Sequence, residues 1–392
     1  MSELQCVKFG DMAQQITTKV NPKDTLLDTY VGLEHLDSGS LQINRHGTPK
    51  DVIGEKLHVS KGDIIFGKRR AYQRKLAIAD FDGICSAHAM ILRPKEDVVD
   101  KEFFPFFMQS DVFMERALQI SVGSLSPTIN WKTLANQEFT IPSLSDQHRF
   151  AIIFQAAEDC IVNAERFVAV AGRAKQVLRG ELFSKGIGHT EFKKSIVGKI
   201  PLKWDIVRAE EIAKIVRGRF SHRPRNDPKF YGGNIPFIQT GDVVLSDGVV
   251  STYSQTLNET GLSVSKIFPK GTMVMTIAAN IGYTAVLGFN SAFPDSLVAI
   301  YPKDQIDKLF LRYYFVNEQP EIDRNAIKGT QKNINVEFIN SWLVKIPPLP
   351  EQRQIATLLT RCDETITAAR ANVTAAKALK MKMINEMLNP GN

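Results

Sequence analysis

Two short stretches hold most of the residues able to grip a polyanion. The first is GKRRAYQRK, residues 67–75, where Lys68, Arg69, Arg70, Arg74 and Lys75 surround Tyr72 and Gln73. The second is VRGRFSHRPRNDPKFYGG, residues 216–233, with Arg217, Arg219, His222, Arg223 and Arg225 in a segment broken by Gly and Pro. Guanidinium forks pair with phosphate oxygens and guanine edges, and a Gln or Asn amide pairs with adenine. One such cluster is usually a solvated face. Two clusters, in a chain of 392 residues with net charge +7, point to DNA.

No motif for bond-making chemistry accompanies them. GDIIFGKR, residues 62–69, is one residue short of a phosphate-binding P-loop, because Arg69 stands where Ser or Thr would hold magnesium. It also reads as a strand. No GxGxxG follows a strand, no HExxH occurs, and the Asn/Asp-Pro-Pro-aromatic tetrapeptide of amino-methyltransferases is missing. Asp80 and Asp82 lack the acidic residue-x-Lys pair of a nuclease and read as a hairpin turn. The seven histidines are dispersed, and Cys6, Cys85, Cys160 and Cys362 form no CxxC pair, so neither a metal site nor a disulfide framework is expected. With 43% apolar and 23% charged residues, no run of 18 uncharged apolar residues and no signal peptide, the expectation is a cytoplasmic protein with no membrane partner.

The elements that must position the clusters repeat. IPSLSDQHRFAIIF begins at Ile141, and IPPLPEQRQIATLL begins 205 residues later at Ile346. Each phrase opens a long segment, and the second has no Gly or Pro after Pro350 until Pro390. The second, followed to Leu388, would be roughly 55 Å of helix, too long to stand without a partner. Before each phrase lies a stretch with mixed α/β grammar. In the first, strand character at 30–41, 61–72 and 76–94 precedes a helical run at 102–120 and a Gly/Ser loop at 122–130. In the second, Lys270-Gly271 echoes Lys61-Gly62, residues 294–302 echo 85–94, and Asn335 echoes Asn130. The expected division is a first domain at 1–143, a long helix at 144–186, an exposed connector at 187–203, a second domain at 204–348 and a second long helix at 349–392.

The two long segments share one heptad seam. Ala157, Ala164, Ala171 and Leu178 recur every seven residues, beside Phe154, Ile161, Val168 and Leu182, with Lys175 interrupting. Moving on by 205 gives Cys362, Ala369, Ala376 and Met383, beside Leu359, Ile366, Val373 and Met387, with Lys380 interrupting. Sustained heptads of this kind indicate a coiled-coil pair. The pattern leaves parallel and antiparallel open. Two successive copies of a domain-plus-helix unit can close by a pseudo two-fold axis, which makes the helices antiparallel and sets a domain at each end. The fold class expected is therefore α+β, with two similar mixed α/β domains separated by an antiparallel coiled coil.

IPPLPEQRQIA, preceded by a Gly-Thr…Asn-Ile segment and followed by a long helix, resembles the DNA-specificity subunit of type I restriction-modification enzymes. The connector GKIPLKW, residues 198–204, and YGGNIPFIQTGDV, residues 231–243, are similar to phrases of that family. The resemblance implies two target-recognition domains, each reading half of a split, asymmetric site in double-stranded DNA. It implies that the helices space the readers and dock two modification subunits that bring S-adenosylmethionine. Restriction subunits would add ATP- and magnesium-dependent translocation and cleavage, and the chain itself would catalyse nothing. Two other readings stay open: the specificity subunit of a related type II two-site cutter, and a coiled-coil scaffold without a DNA role.

Overall fold

A computed structural model describes residues 4–222, 224–326 and 333–388. The chain forms two compact units, Met1–Val168 with Ala368–Asn392, and Ala169–Thr367.

In the first unit Leu4–Lys8 pairs antiparallel with Glu138–Pro142, so the chain enters the first long helix, Leu144–Lys185, where the domain closes on itself. Two four-stranded sheets lie between. One has the order Ala13–Ile16, Met90–Pro94, Ile64–Phe66, Leu76–Ile78; the other has Lys19–Val20, Lys56–Val59, Gly83–Cys85, Tyr30–Val31. Alternation along a strand sends neighbours to opposite faces. Ile64 and Phe66 face the aromatic core with Phe104, Phe107 and Phe113, whereas Ile65 joins Ala77, Cys85 and Ile91 in a separate cluster. Each such buried large side chain contributes about 1.5–3 kcal/mol.

Two local expectations change here. The helical run at 102–120 is two helices, Phe104–Gln109 and Asp111–Gln119. Ser110 parts them: its backbone is extended, its hydroxyl donates to the Phe107 carbonyl at 2.6 Å, and it accepts from the Phe113 amide at 3.3 Å. Asp80 to Asp82 do not close a hairpin. Leu76–Ile78 pairs with Ile64–Phe66 and Gly83–Cys85 pairs with Lys56–Val59, so the turn carries the chain from one sheet to the other.

The second unit repeats this plan. Asp205–Arg208 pairs with Leu343–Ile346, and the main sheet runs Ala213–Arg217, Leu297–Pro302, Met273–Thr276, Thr284–Leu287, Val249–Val250. Met273 and Met275 face the core shared with Phe310 and Tyr314, and Val274 faces the opposite cluster. One helix, Lys308–Asn325, stands where the first unit has two. The connector, most of whose residues are at least partly exposed, carries a hairpin of its own. Phe192–Ser195 and Gly198–Pro201 form a hairpin that turns at Gly198 (φ 92°), and Ile200 and Trp204 are fully buried. Trp204 Nε1 and the Ile187 amide donate to the Glu351 carboxylate at 3.1 and 3.0 Å, which fixes the connector to the start of the second long helix.

The second long helix runs Leu349–Leu388, so the pair comprises 42 and 40 residues, each about 60 Å long. In the first unit Glu158 meets Lys380 and Glu165 meets Lys377, each at 2.6 Å. A forward step on one helix is a backward step on the other, so the pairing is antiparallel. Along the seam Phe154, Ile161, Leu359 and Ile366 are buried, while Ala157, Ala164, Val168, Ala171, Leu178, Cys362, Ala369, Val373, Ala376 and Met383 are partly covered. Each of the two interrupting lysines makes a polar contact across the seam. Lys380 bonds Glu158, and Lys175 bonds Asp363, which lies 205 residues after Glu158. The shared Gln of the repeated phrase also has one task in both copies. Gln147 donates to the Pro142 carbonyl and accepts from the Asp100 amide, at 2.9 and 2.8 Å. Gln352 does the same with Pro347 and Asp307, both at 2.9 Å.

Candidate nucleic-acid interface

In each unit two loops beside the main sheet are tied together. In the first unit the loop after strand Ile64–Phe66 is bridged to the loop before helix Trp131–Ala135, through Arg69 and Thr128. In the second, the loop after Met273–Thr276 is bridged to the segment before helix Val336–Asn340, through Ala278 and Asn333. Asn130 and Asn335 each cap the helix that follows, accepting amide hydrogens at 2.9 and 2.8 Å. The residue after the bridging Arg69 and Ala278, Arg70 (φ 57°) and Ala279 (φ 62°), has left-handed backbone. That conformation costs a residue with a Cβ about 1–2 kcal/mol. Its recurrence at one point of two diverged sequences marks a loop shape that both keep.

The side chains on that shared frame differ. In the first unit Arg69 Nε donates to Ser126 Oγ at 2.7 Å, and one terminal nitrogen lies 3.2 Å from His88 Nε2. Burial, and then the cations Arg69, Lys68 and Lys56, hold the His88 imidazole below its ordinary pKa. Burial also lowers the half-buried Lys68 ammonium from the usual lysine range. Arg70 and Tyr72 are exposed and Gln73 is partly so. The remaining cations of the cluster engage the protein: Arg74 bonds Asp111, and Lys75 Nζ donates to the Leu33 carbonyl at 2.5 Å.

In the second unit a cavity of about 360 Å³ opens at the equivalent place, lined by Arg217, Arg225, Gln239, Asp295 and Asn333 together with Ala278 and Ala279. Arg217 Nε donates to the Asp295 carbonyl at 2.8 Å, and Arg225 bonds the Asp295 carboxylate. Arg219 is exposed, and the His222 ring lies 4.5 Å from that of Phe230. Arg223 lies outside the described residues. The two cation clusters are therefore not equivalent in the fold: one sits on the loop after the central strand, the other follows the edge strand Ala213–Arg217. They nonetheless reach corresponding surfaces.

His88, Ser126, Thr128, Gln239, Asp295 and Asn333 were not singled out by composition. Repeated landmarks could have found five of them: Ser126, Thr128 and Asn333 lie in the paired stretches 122–130 and 328–339, and His88 and Asp295 in 85–94 and 294–302, whereas Gln239 lies in neither. Phosphate oxygens and base edges are what these donors and acceptors can hold. Among the described residues no group of three His, Cys, Asp or Glu could hold a metal ion, and no helix is long and apolar enough to cross a membrane.

Two α/β domains that keep one loop frame and vary its side chains, on long helices whose contacts repeat, define a duplicated recognition protein. The chain belongs to the type I restriction modification DNA specificity family, whose domain matches residues 1–166 and 201–375. It is 24% identical to the putative type I restriction enzyme MjaX specificity subunit of Methanocaldococcus jannaschii, over 98% of this chain and 90% of that one. It is 23% identical to the MjaVIII specificity subunit of the same organism, over 98% and 92%. A solved chain from work on complex assembly and conformational transition of the type I R-M system superposes with a TM-score of 0.62 at 21% identity, covering 98% of this chain and 97% of the other. The type I S subunit from M. genitalium gives 0.56 at 11%, covering 99% and 96%. These two likenesses are of fold.

Proposed function

We propose that each unit reads one half of a bipartite, asymmetric site in double-stranded DNA. The observation that carries this reading is the shared loop frame with unlike contents. Arg69, Ser126 and His88 occupy it in one unit; Arg217, Arg225, Gln239 and Asn333 occupy it in the other. One backbone frame with two sets of hydrogen-bonding groups suits two different half-sites. The antiparallel helices keep the readers at a set distance and dock two modification subunits. Support for docking comes from apolar side chains left exposed on the first helix, among them Ile152 (59%), Phe167 (52%) and Val177 (67%). Those partners bring S-adenosylmethionine for methylation, and restriction subunits bring ATP and magnesium. This chain supplies recognition without a catalytic group of its own.

The test is to assemble the chain with its modification subunits and sequence the methylated DNA at single-molecule resolution. Two unlike half-sites with a fixed spacer are expected. Methylation without a bipartite consensus would overturn the reading.

A further inference from the structure

The second unit holds another polar cavity, which shares no lining residue with the one beside Arg217 and Arg225. It measures about 370 Å³ and lies where Lys175, Arg179 and Asp363 of the helix pair face Arg312 and Thr284. Arg312 is 9% exposed, and its Nε has no hydrogen-bond partner. Arg179 Nε and Thr284 Oγ1 are likewise buried without a partner, so three of the six such atoms among the described residues line this one space. A buried donor left unpaired costs about 1–3 kcal/mol, more when charged. Three in one place are a strong reason to look for what they bind.

Charge points the same way. The cavity wall carries three cations, Lys175, Arg179 and Arg312, against two carboxylates, Asp247 and Asp363. Asp363 is already taken by Lys175 and by the Tyr313 hydroxyl at 2.7 Å. Burial lowers the Arg179 pKa from its usual value, the mark of a desolvated cation. The wall is also built to admit a guanidinium: a Cβ on Gly248, whose φ is 91°, would lie 1.8 Å from a terminal nitrogen of Arg312.

The other copy supplies a control. Ile384 lies 205 residues after Arg179 and is fully buried in an apolar cluster. Lys380, the counterpart of Lys175, has three acceptors there: Glu158 at 2.6 Å, Gln109 at 3.1 Å and the Gly39 carbonyl at 3.3 Å. The first unit thus satisfies its seam lysine and keeps the surroundings apolar. The second surrounds the same lysine with donors that lack acceptors.

We propose that this cavity binds a phosphate-type oxyanion, either free phosphate or the phosphate of a mononucleotide, held by the Arg179 and Arg312 guanidinium groups with Lys175 and the Thr284 hydroxyl as further donors. Paired guanidinium forks suit tetrahedral oxyanions. Because Lys175 and Asp363 join the two helices in this unit, the bound anion stabilises their pairing.

The test uses the full chain in chloride buffer at constant ionic strength, titrated with inorganic phosphate and, in parallel, with adenosine monophosphate. Binding is read by equilibrium dialysis and by thermal unfolding. At phosphate about 100-fold above its Kd, the unfolding midpoint should rise by about 3 °C or more. Arg179→Gln should weaken binding at least tenfold, and Arg312→Gln should do the same. Arg179 is partly exposed, so its variant keeps the test decisive if Arg312→Gln does not fold. Tighter binding of the mononucleotide assigns the site to nucleotides; equal binding assigns it to the free anion. Absence of saturable binding by the wild-type chain, or unchanged affinity in Arg179→Gln, overturns the proposal.

Discussion

Arg69 and Arg225 occupy corresponding surfaces of the two readers but are restrained differently. Arg69 is aimed by a neutral hydroxyl and an imidazole, whereas Arg225 is neutralised by a carboxylate. Arg69→Ala should cost about 1–3 kcal/mol on cognate DNA and relax one half-site only, as read by competition binding against single-base variants. Equal loss on every sequence would instead assign Arg69 to phosphate. Asp295→Ala removes the charge that pairs Arg225, so it should tighten non-specific binding and steepen the salt dependence by about one counterion. An unchanged salt slope would remove Arg225 from the interface. His88 adds a pH signature. Its folded-state pKa lies below its ordinary value, so the unfolded chain takes up the proton first as pH falls. Stability from neutral His88 is complete above about pH 6.5 and is lost as pH drops through the lowered folded value. His88→Gln should therefore lose less thermal stability between pH 7.5 and 5.5 than the wild-type chain, and equal losses would contradict this sign. At this scale the sequence was only half legible. It showed the cations, but their partners come from remote loops. Nothing near Arg74 announces Asp111, and nothing near Arg225 announces Asp295.

Among the elements, the long helices were the most legible, because a seven-residue repeat needs no tertiary knowledge. What the heptads could not show is that their flaw is a device. Lys380 is 1% exposed and Glu158 is 7% exposed, so each needs the other. Removing one partner of such a pair costs about 3–5 kcal/mol, while replacing both with apolar groups is often neutral or stabilising. Lys380→Ala should thus lower chemical-denaturation stability by several kcal/mol, and the Lys380→Met, Glu158→Leu double variant should recover most of it. Lys377→Ala is the contrast. Lys377 and Glu165 are 43% and 42% exposed, so this change should cost at most about 1 kcal/mol. Similar losses in both single variants would contradict the burial argument. The short elements were less legible for a physical reason. The turn at Asp82 depends on what each neighbouring strand pairs with, and Ser110-Asp111, a helix-start signal, went unread inside a run whose apolar pattern is otherwise helical.

For the whole molecule, the 205-residue echo announced two copies of one unit, and the repeated Lys–carboxylate and Gln contacts give that echo a structural meaning. The loops between the landmarks carried no such signal, because on the proposed function two readers of different half-sites are free to diverge wherever side chains meet DNA. The spacer function then makes a geometric demand. The boundary between the compact units crosses the first helix after Val168 and the second after Thr367. One heptad inserted at each of these points keeps the seam in phase and lengthens the pair by about 10 Å, since each residue rises about 1.5 Å. A base pair advances about 3.4 Å along the duplex, so the preferred spacer should grow by about three base pairs. Both half-sites should stay the same, because no reader residue has moved within its own domain. The added base pairs also rotate one half-site by roughly a third of a helical turn relative to the other. Methylation should therefore fall in rate while keeping its sequence. Sequencing DNA methylated by the extended complex measures both quantities together. An unchanged spacer would mean that the DNA, or the docked modification subunits, set the distance between half-sites. A changed half-site would mean that the helices help shape the reading loops.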